Sequence, residues 1–549
     1  MLLRLVQQGA ARYGSGSQVS DHAMRCPPVV AAGVALVGVL ANPHGVRAEP
    51  SAASVRDDVA EWSPRDDEER PAHLARSWLE MGAGLAAGTA GYWALMRRNA
   101  ADWDNPRPFS RFDGSSWVLD NNSIGVNFLG HPATGGLSYS WARANHYGVP
   151  SAFGYSFVTS FLWEFIIEFK EKVSVNDVMV TPGAGLPLGE FFYKLGLYLD
   201  SGHHGSAGWD VARGILGSGV ALDRWLDGRP PPRLRHADNL GFSSQIWHEF
   251  GARYGTGAVE SPGQPSYARH AAALQARLVT LKGYGRARSF GHGFYGAELS
   301  SFELEAEASR YGWGLWSSAD TMLAGYHAQR LTGHVGQLRG GWLTLGTSVG
   351  FAYVRSAANR YQSVEEAVAR PGSDLKYHVP NRREQYGAFQ FPGIAADARL
   401  CGTWGSFDFG LRVQPSFAGL GAVAFYDWSA ENPDEVSKHI LHRQGYFYGW
   451  GGAGTLSTRL GLGPLRGGFE LMYGAYRSQD GWDRHPEQLT VDVPARGQLL
   501  RYRASLGVAP REDVSVVLEL GGREFRSEVA GFERTARSTE RGVSAEVRF

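Results

Sequence analysis

The chain has 549 residues, enough for two or three domains. Lys+Arg and Asp+Glu both number 54, so overall charge does not point to nucleic acid. There are two cysteines, Cys26 and Cys401, and only Cys401 falls in the expected mature chain; a disulfide framework is excluded, and with no nucleophile signature around it Cys401 reads as structural.

The first element is an export signal. Residues 29–41, VVAAGVALVGVLA, are uninterrupted apolar sequence, preceded by Arg25 and followed by Val46-Arg47-Ala48. That order is a secretory signal peptide. The run is short for a bilayer span, which takes about 20 apolar residues. We expect a signal peptide over 1–48, with Met24 a candidate true start. Residues 49–76 are charged and contain proline, which reads as a solvated linker.

A helical domain is expected over 77–236. Residues 78–96 are apolar, with Gly84 and Gly88 at a spacing that permits close helix packing. Residues 151–169 form a second apolar helix, on which Glu164 and Glu168 sit four apart and share a face. Ser174 is placed to cap a short helix, with Asp177 at the capping-box position. Pro182, Gly183 and Gly185 predict a turn, and Phe191–Leu199 a third helix. The acidic residues Glu164, Glu168, Asp177 and Glu190 thus lie in apolar surroundings.

The residues Asn127, His131-Pro132, Gly135, Tyr139, Ala142-Arg143, Ser160, Trp163-Glu164, Glu168, Ser174, Asp177, Thr181-Pro182, Gly185 and Gly189-Glu190 follow one another over about 65 positions. In that order and spacing, the stretch from about 105 to 225 resembles the bacterial family catalogued as domain of unknown function 3943. The resemblance implies no activity.

Buried charges need partners. The expected arrangement is one network joining His131, Arg143, Glu164, Glu168, Asp177 and Glu190. The competing reading is an acid–base or metal site drawn from Glu164, Glu168, Asp177, His131, His203 and His204, although His203-His204 in a Gly/Ser loop reads as solvent-exposed. No zinc signature accompanies them, so no metal ligands are assigned. Gly183-Ala184-Gly185 lacks the lysine and the strand that nucleotide binding needs, and no Gly-x-Ser-x-Gly supports a hydrolase. No cofactor is expected.

From about 237 the hydrophobic period becomes two. Phe302, Leu304, Ala306 and Ala308 alternate with Glu303, Glu305 and Glu307; Phe407, Phe409, Leu411 and Val413 alternate with Asp408, Gly410, Arg412 and Gln414. Twelve strands are expected: 238–254, 271–286, 293–309, 313–329, 341–355, 389–404, 406–419, 444–459, 466–478, 498–510, 513–527 and 540–549. Their length suits membrane crossing, which takes about 9–11 residues per strand. Short and long connections alternate, with long ones at 356–388, 420–443, 479–497 and 528–539, as in outer-membrane barrels. Phe549 closes an alternating strand and resembles the C-terminal signal for barrel assembly.

The expected architecture is α+β: an apolar helical domain, then an antiparallel transmembrane barrel over 237–549. Glu303, Glu305, Glu307, Arg412, Arg501 and Arg503 should line its lumen, pairing with one another or meeting a charged ligand. The expected location is the outer membrane of a Gram-negative bacterium, with outer-membrane lipid and the barrel assembly machinery as partners. Three functions stay open: a structural or binding protein whose helical domain plugs the barrel or sits beneath it, a lipid-handling enzyme, and a porin or transporter gated by the helices.

Overall fold

The computed structural model describes residue 64 and residues 70–96, 105–202, 207–229, 237–262, 264–333, 337–356, 384–482, 489–511 and 513–549. The expected signal peptide with Met24 and Cys26, most of the linker, and His203-His204 lie outside the described residues.

Thirteen strands form one sheet. They are β1 (Trp247–Ser261), β2 (Gln264–Val279), β3 (Ser289–Phe294), β4 (Leu299–Ser309), β5 (Gly312–Thr332), β6 (Arg339–Arg355), β7 (Gln385–Gly402), β8 (Gly405–Gly421), β9 (Tyr446–Leu462), β10 (Leu465–Ser478), β11 (Ala495–Arg511), β12 (Val514–Val529) and β13 (Phe532–Arg548). Twelve of them close a ring in the order β5-β4-β2-β1-β13-β12-β11-β10-β9-β8-β7-β6, and β6 pairs back onto β5. All pairings are antiparallel; the short β3 adds only to the end of β5. At the seam, Val543 of β13 lies opposite Thr256 of β1, and Phe549 and Phe250 exchange two backbone hydrogen bonds of 2.9 and 3.3 Å. Closure pairs every ring strand on both sides, as lipid requires of a spanning sheet.

Two sequence expectations shift. The first two strands lie at Trp247–Ser261 and Gln264–Val279, because their Gly- and Ala-rich sequence gives a weak alternation signal. The long connection expected at 528–539 is a tight hairpin: Ala530 and Gly531 adopt φ of 47° and 88°, the left-handed pair a two-residue turn requires. Glu524, Arg526, Glu533 and Arg537 make the outer face of these strand ends charged, while Phe525, Val529, Phe532 and Ala536 give them an apolar inner face.

β1 begins and β13 finishes at one end of the barrel, here the basal end. Arg355, Gln385, Gly421, Tyr446, Ser478 and Ala495 stand at the other, the loop end. Glu303, Glu305 and Glu307 of β4 meet arginines from distant strands, so they face inward. Phe302 and Leu304 therefore face outward.

Ahead of the barrel stand α1 (Leu74–Gly91), α2 (His131–Ala144), α3 (Val149–Leu162), α4 (Val175–Asp200), α5 (Ala207–Leu216) and α6 (Ser218–Leu226). The turn expected at 182–185 is not there: α4 runs through Pro182 and Pro187 for 26 residues. Proline and glycine disfavour a helix interior by about 3 and 1 kcal/mol, but here the glycines admit neighbours. A Cβ on Gly189 would stand 2.6 Å from the Gly136 carbonyl oxygen of α2, and one on Gly183 would stand 2.5 Å from the Phe389 ring of β7. Ser174 accepts a hydrogen bond from the Asp177 amide at 3.4 Å, as a cap does.

The helices do not plug the barrel, nor do they sit beneath it; they cover its outer wall. Phe417, Phe389, Phe351, Ala319, Phe302, Ala276 and Phe250 are successive Cα partners on β8, β7, β6, β5, β4, β2 and β1, all facing outward. α4 lies along this row. Pro187 accepts from Thr321, Phe191 stacks on Phe302 at 5.1 Å, and Tyr198 packs on Phe250 at 5.5 Å. α2 and α3 pack on α4, with α1 beside them.

Candidate functional site

The lumen is crossed by ion pairs. Glu305 accepts from Arg253, Arg269 and Arg503, which come from β1, β2 and β11. Arg501 stands 3.5 Å from the same carboxylate and 4.0 Å above the Trp316 ring. Glu307 pairs with Arg269 and Arg523 at 2.7 Å each. Glu303 lies 3.9 Å from Arg503, and Arg412 pairs with Asp320 at 2.7 Å and Asp397 at 3.0 Å. All six expected lumen residues face inward and toward opposite charges. A cavity of about 290 Å³ remains, lined by Glu303, Arg412, Arg501 and Arg503 among others.

Both mouths are occupied. At the loop end the β8–β9 connection turns inward: Phe425 and Trp428 of α7 (Phe425–Glu431) and Leu441 of α8 (His439–Gln444) pack on Leu420, Phe447, Leu499 and Phe525. At the basal end Leu281 and Tyr284, from the β2–β4 connection, pack on Met322, Leu331 and Trp342. A plug exists, then, but the barrel's own connections supply it.

The expected single polar network divides into two clusters along α4. In the first, Glu190 is fully buried and accepts from Arg143 Nε and the Tyr139 hydroxyl at 2.8 Å each, with Lys194 at 3.6 Å. Lys194 reaches on to the Ala297 carbonyl and to Ser300 Oγ at 2.9 Å, tying α4 to the barrel. The residues satisfy one another, and nothing in the arrangement is poised for reaction.

The second cluster lies near the loop end, in the seam between helices and barrel. Asp120 accepts from Asn127 at 2.6 Å, Asn176 at 3.1 Å and the Tyr448 hydroxyl at 2.6 Å. Tyr446 donates to the Asn122 carbonyl at 2.8 Å. Asp177 accepts from Asn176 at 2.9 Å and lies 3.6 Å from His131 Nε2; that side chain is about one-fifth exposed. Glu164 and Glu168 lie past the end of α3, where the chain takes one wider turn over Trp163–Ile167. The extra residue in that turn means they no longer share an α-helical face. The Ser174 amide donates to Glu164 at 3.2 Å, and the Trp163 indole donates to Glu168 at 2.9 Å.

This seam is rich in carboxyl groups. Burial, with Glu168 and Asp177 beside it, holds the Glu164 carboxyl well above the usual carboxylate range. Burial and then Glu171 push Glu168 up to about 8, against the pull of the Trp163 hydrogen bond. Sequence reasoning missed Asp120, Asn176, Tyr446 and Tyr448. The Asp-Asn-Asn run at 120–122 was a signal for the first. The outward alternation of Tyr446 and Tyr448 about Phe447 was one for the tyrosines.

Among the described residues, one His/carboxylate set has metal-ligand proximity: His73, His146, Asp223 and Asp227 at the basal end. Arg76 and Arg229 each bind both aspartates there, which already balances the charge. Cys401 lies near the basal end of β7, opposite Gly340 and Ser406.

Residues 116–217 match a family described as Domain of unknown function (DUF3943). That span holds the α2–α4 glycine contact and the helical side of both clusters. No curated protein matches the chain. Similar solved structures include the translocator domain of autotransporter NalP from Neisseria meningitidis, 8% identical over 62% of this chain and 98% of that one, TM-score 0.19. OmpT, an outer membrane protein of Vibrio cholerae, is 7% identical over 56% and 98%, TM-score 0.20. The beta domain of the Bordetella autotransporter BrkA is 11% identical over 54% and 98%, TM-score 0.22. Likeness this slight carries no argument; the barrel rests on its own strand pairing.

Proposed function

We propose that this chain is an outer-membrane protein with a structural or binding role, and that its barrel is closed to solutes. The observation that carries the reading is the polarity of the wall. Charged side chains point inward and pair, while Leu506, Leu518, Leu520 and Val543 point outward and stand 46–64% exposed. Water would penalise that surface at roughly 25 cal/mol per Å², and a bilayer would not. Occupied mouths and a bridged lumen argue against a porin. The test is fractionation with and without boiling. The chain should sediment with outer membranes and migrate faster unboiled; recovery as a soluble periplasmic protein would sink the reading. In planar bilayers it should pass no steady ion current.

A second reading, a lipid-handling enzyme at the seam, is favoured by the partly exposed His131, 3.6 Å from Asp177 in a seam that also holds Glu164 and Glu168. His131→Ala at normal protein level with an altered outer-membrane lipid profile would support it. An unchanged profile would remove it.

A further inference from the structure

We infer that the helical layer lies within the bilayer beside the barrel and meets lipid acyl chains on its far side. The inference rests on the outer-membrane reading above.

The path of the chain is the first reason. α1 begins at the basal end, where Arg76 donates to Asn145 at 2.7 Å and Ser77 accepts from Tyr155. It finishes toward the loop end, where Tyr92 donates to Glu171 at 2.6 Å. α2 returns to the basal end, α3 goes back, and α4 returns again to Tyr198, beside Phe250. Each helix thus runs between the same two ends as the strands, and β1 starts where α4 stops.

Charge is the second. Residues 81–96, 132–142 and 149–163 contain no Lys, Arg, Asp or Glu. Charges gather at two rims. Arg76, Glu80, Asp223, Asp227 and Arg229 are at the basal end; Arg107, Asp113, Lys170, Glu171 and Lys172 are toward the loop end. Between the rims, Leu137 and Phe157 are exposed at 42% and 41%. α1 has 18 residues and α2 and α3 have 14 each, about 21–27 Å at 1.5 Å per residue. The lipid-facing band of an outer-membrane barrel is about 25 Å tall.

Continuity is the third. The covered row from Phe417 to Phe250 passes into bare apolar wall on either side, at Leu343 and Ile394 and at Leu506 and Leu518. A helical layer standing in water would leave a trench between itself and the lipid at that wall. No helix among the described residues is long and apolar enough to cross a membrane by itself. These helices need not, because the barrel covers one flank of the layer. The charges they carry at depth, Arg143, Glu190 and Lys194, face inward and are paired, as intramembrane charges are.

The test places single cysteines in a chain with Cys26 and Cys401 changed to serine. Phe157→Cys and Leu137→Cys report the helical layer, Leu518→Cys the bare barrel wall, and Asp113→Cys a charged rim. Each carries a small fluorophore in phosphatidylcholine vesicles, with or without lipid bearing a nitroxide on its acyl chain; unboiled migration confirms folding. Labels at 157, 137 and 518 should lose at least half their emission to nitroxide lipid and little to iodide. The label at 113 should show the reverse. If 157 and 137 are quenched by iodide while 518 is quenched by lipid, the layer stands in water and the inference is overturned. If 157 and 137 respond to neither quencher while 518 responds to lipid, a second copy covers the face, which also overturns it. If 518 escapes lipid too, the outer-membrane reading fails, and this inference with it.

Discussion

Gly185 of α4 faces Gly135 of α2 so closely that a Cβ on Gly185 would stand 2.5 Å from the Gly135 carbonyl carbon. The obstruction is backbone, so no side chain can move aside. Overpacking of this kind costs about 1–3 kcal/mol. Gly185→Ala should therefore expose the helical layer to protease while the barrel keeps its unboiled migration. Gly82→Ala is the control. Nothing lies within 4 Å of its Cβ, and alanine favours a helix interior by about 1 kcal/mol. Equal protease resistance for the two variants would remove the close contact from the account.

Arg143 and Glu190 are buried together, so Arg143→Met should leave Glu190 with the Tyr139 hydroxyl and the more distant Lys194 and destabilise the helical layer by about 3–5 kcal/mol. The double variant Arg143→Met with Glu190→Leu should cost much less than the sum of its parts. Glu164→Gln should instead add to Arg143→Met, because the two clusters are separate. Asp177 and Glu190 stand 13 residues apart on α4, about 20 Å. Denaturant midpoints of protease resistance measure all three. Strong coupling between Glu164→Gln and Arg143→Met would restore the single network.

How much of this the sequence could reveal depends on which property was asked for. Period two marked most of the ring strands, because an inward charge next to an outward apolar residue survives in any order of strands. The same period could not distinguish the wall facing helices from the wall facing lipid. Phe302, Phe351 and Phe389 are covered by α4, while Leu506 and Leu518 are bare; to an alternation pattern both are apolar. That is why the helices were expected in the lumen or beneath it. Partner choice was illegible for a different reason. Arg143 pairs with Glu190 rather than Glu164 because of how α2 seats on the α4 glycines and because the chain widens at Trp163–Ile167. Neither is a property of spacing alone. The plug formed by Phe425 and Trp428 lay in a segment that read only as a long outer loop.

The seam should make stability depend on pH. Glu168 titrates near 8 in the folded chain and near 4.5 when unfolded. Between those values the folded state holds a proton that the unfolded state has released, so stability falls as pH rises. The contribution is complete below about 4.5 and lost as pH passes about 8. The groups facing it are Glu164, Glu171 and Asp177, which repel its charge, and Trp163, His131 and Arg111, which favour it. Protease resistance of the helical layer should thus be greater at pH 5.5 than at pH 8.5, and Glu168→Gln should reduce the difference, leaving the part that Glu164, also raised by burial, contributes. A wild-type layer that gains resistance over that range would contradict the assignment.

Glu305 is the most heavily shared carboxylate of the lumen, and its replacement separates a closed barrel from a gated one. Glu305→Ala removes the partner of Arg253, Arg269 and Arg503 at once. Arg269 keeps Glu307 and Glu540, and Arg253 keeps Glu519 at 3.2 Å. Arg503 is left with Glu470 at 3.6 Å and Glu303 at 3.9 Å. Loss of a buried partner costs about 3–5 kcal/mol, and the change should appear as a lower temperature for loss of the fast-migrating form. It should not produce a conducting pore, because Phe425 and Trp428 at one mouth and Leu281 and Tyr284 at the other are untouched. If the lumen charges were a gate, removing their hub would open it, and steady single-channel currents would appear with little change in thermal stability. Planar-bilayer recording on the folded variant decides between these outcomes. Destabilisation without current supports the closed barrel, and current at unchanged stability would make a gated transporter the better reading.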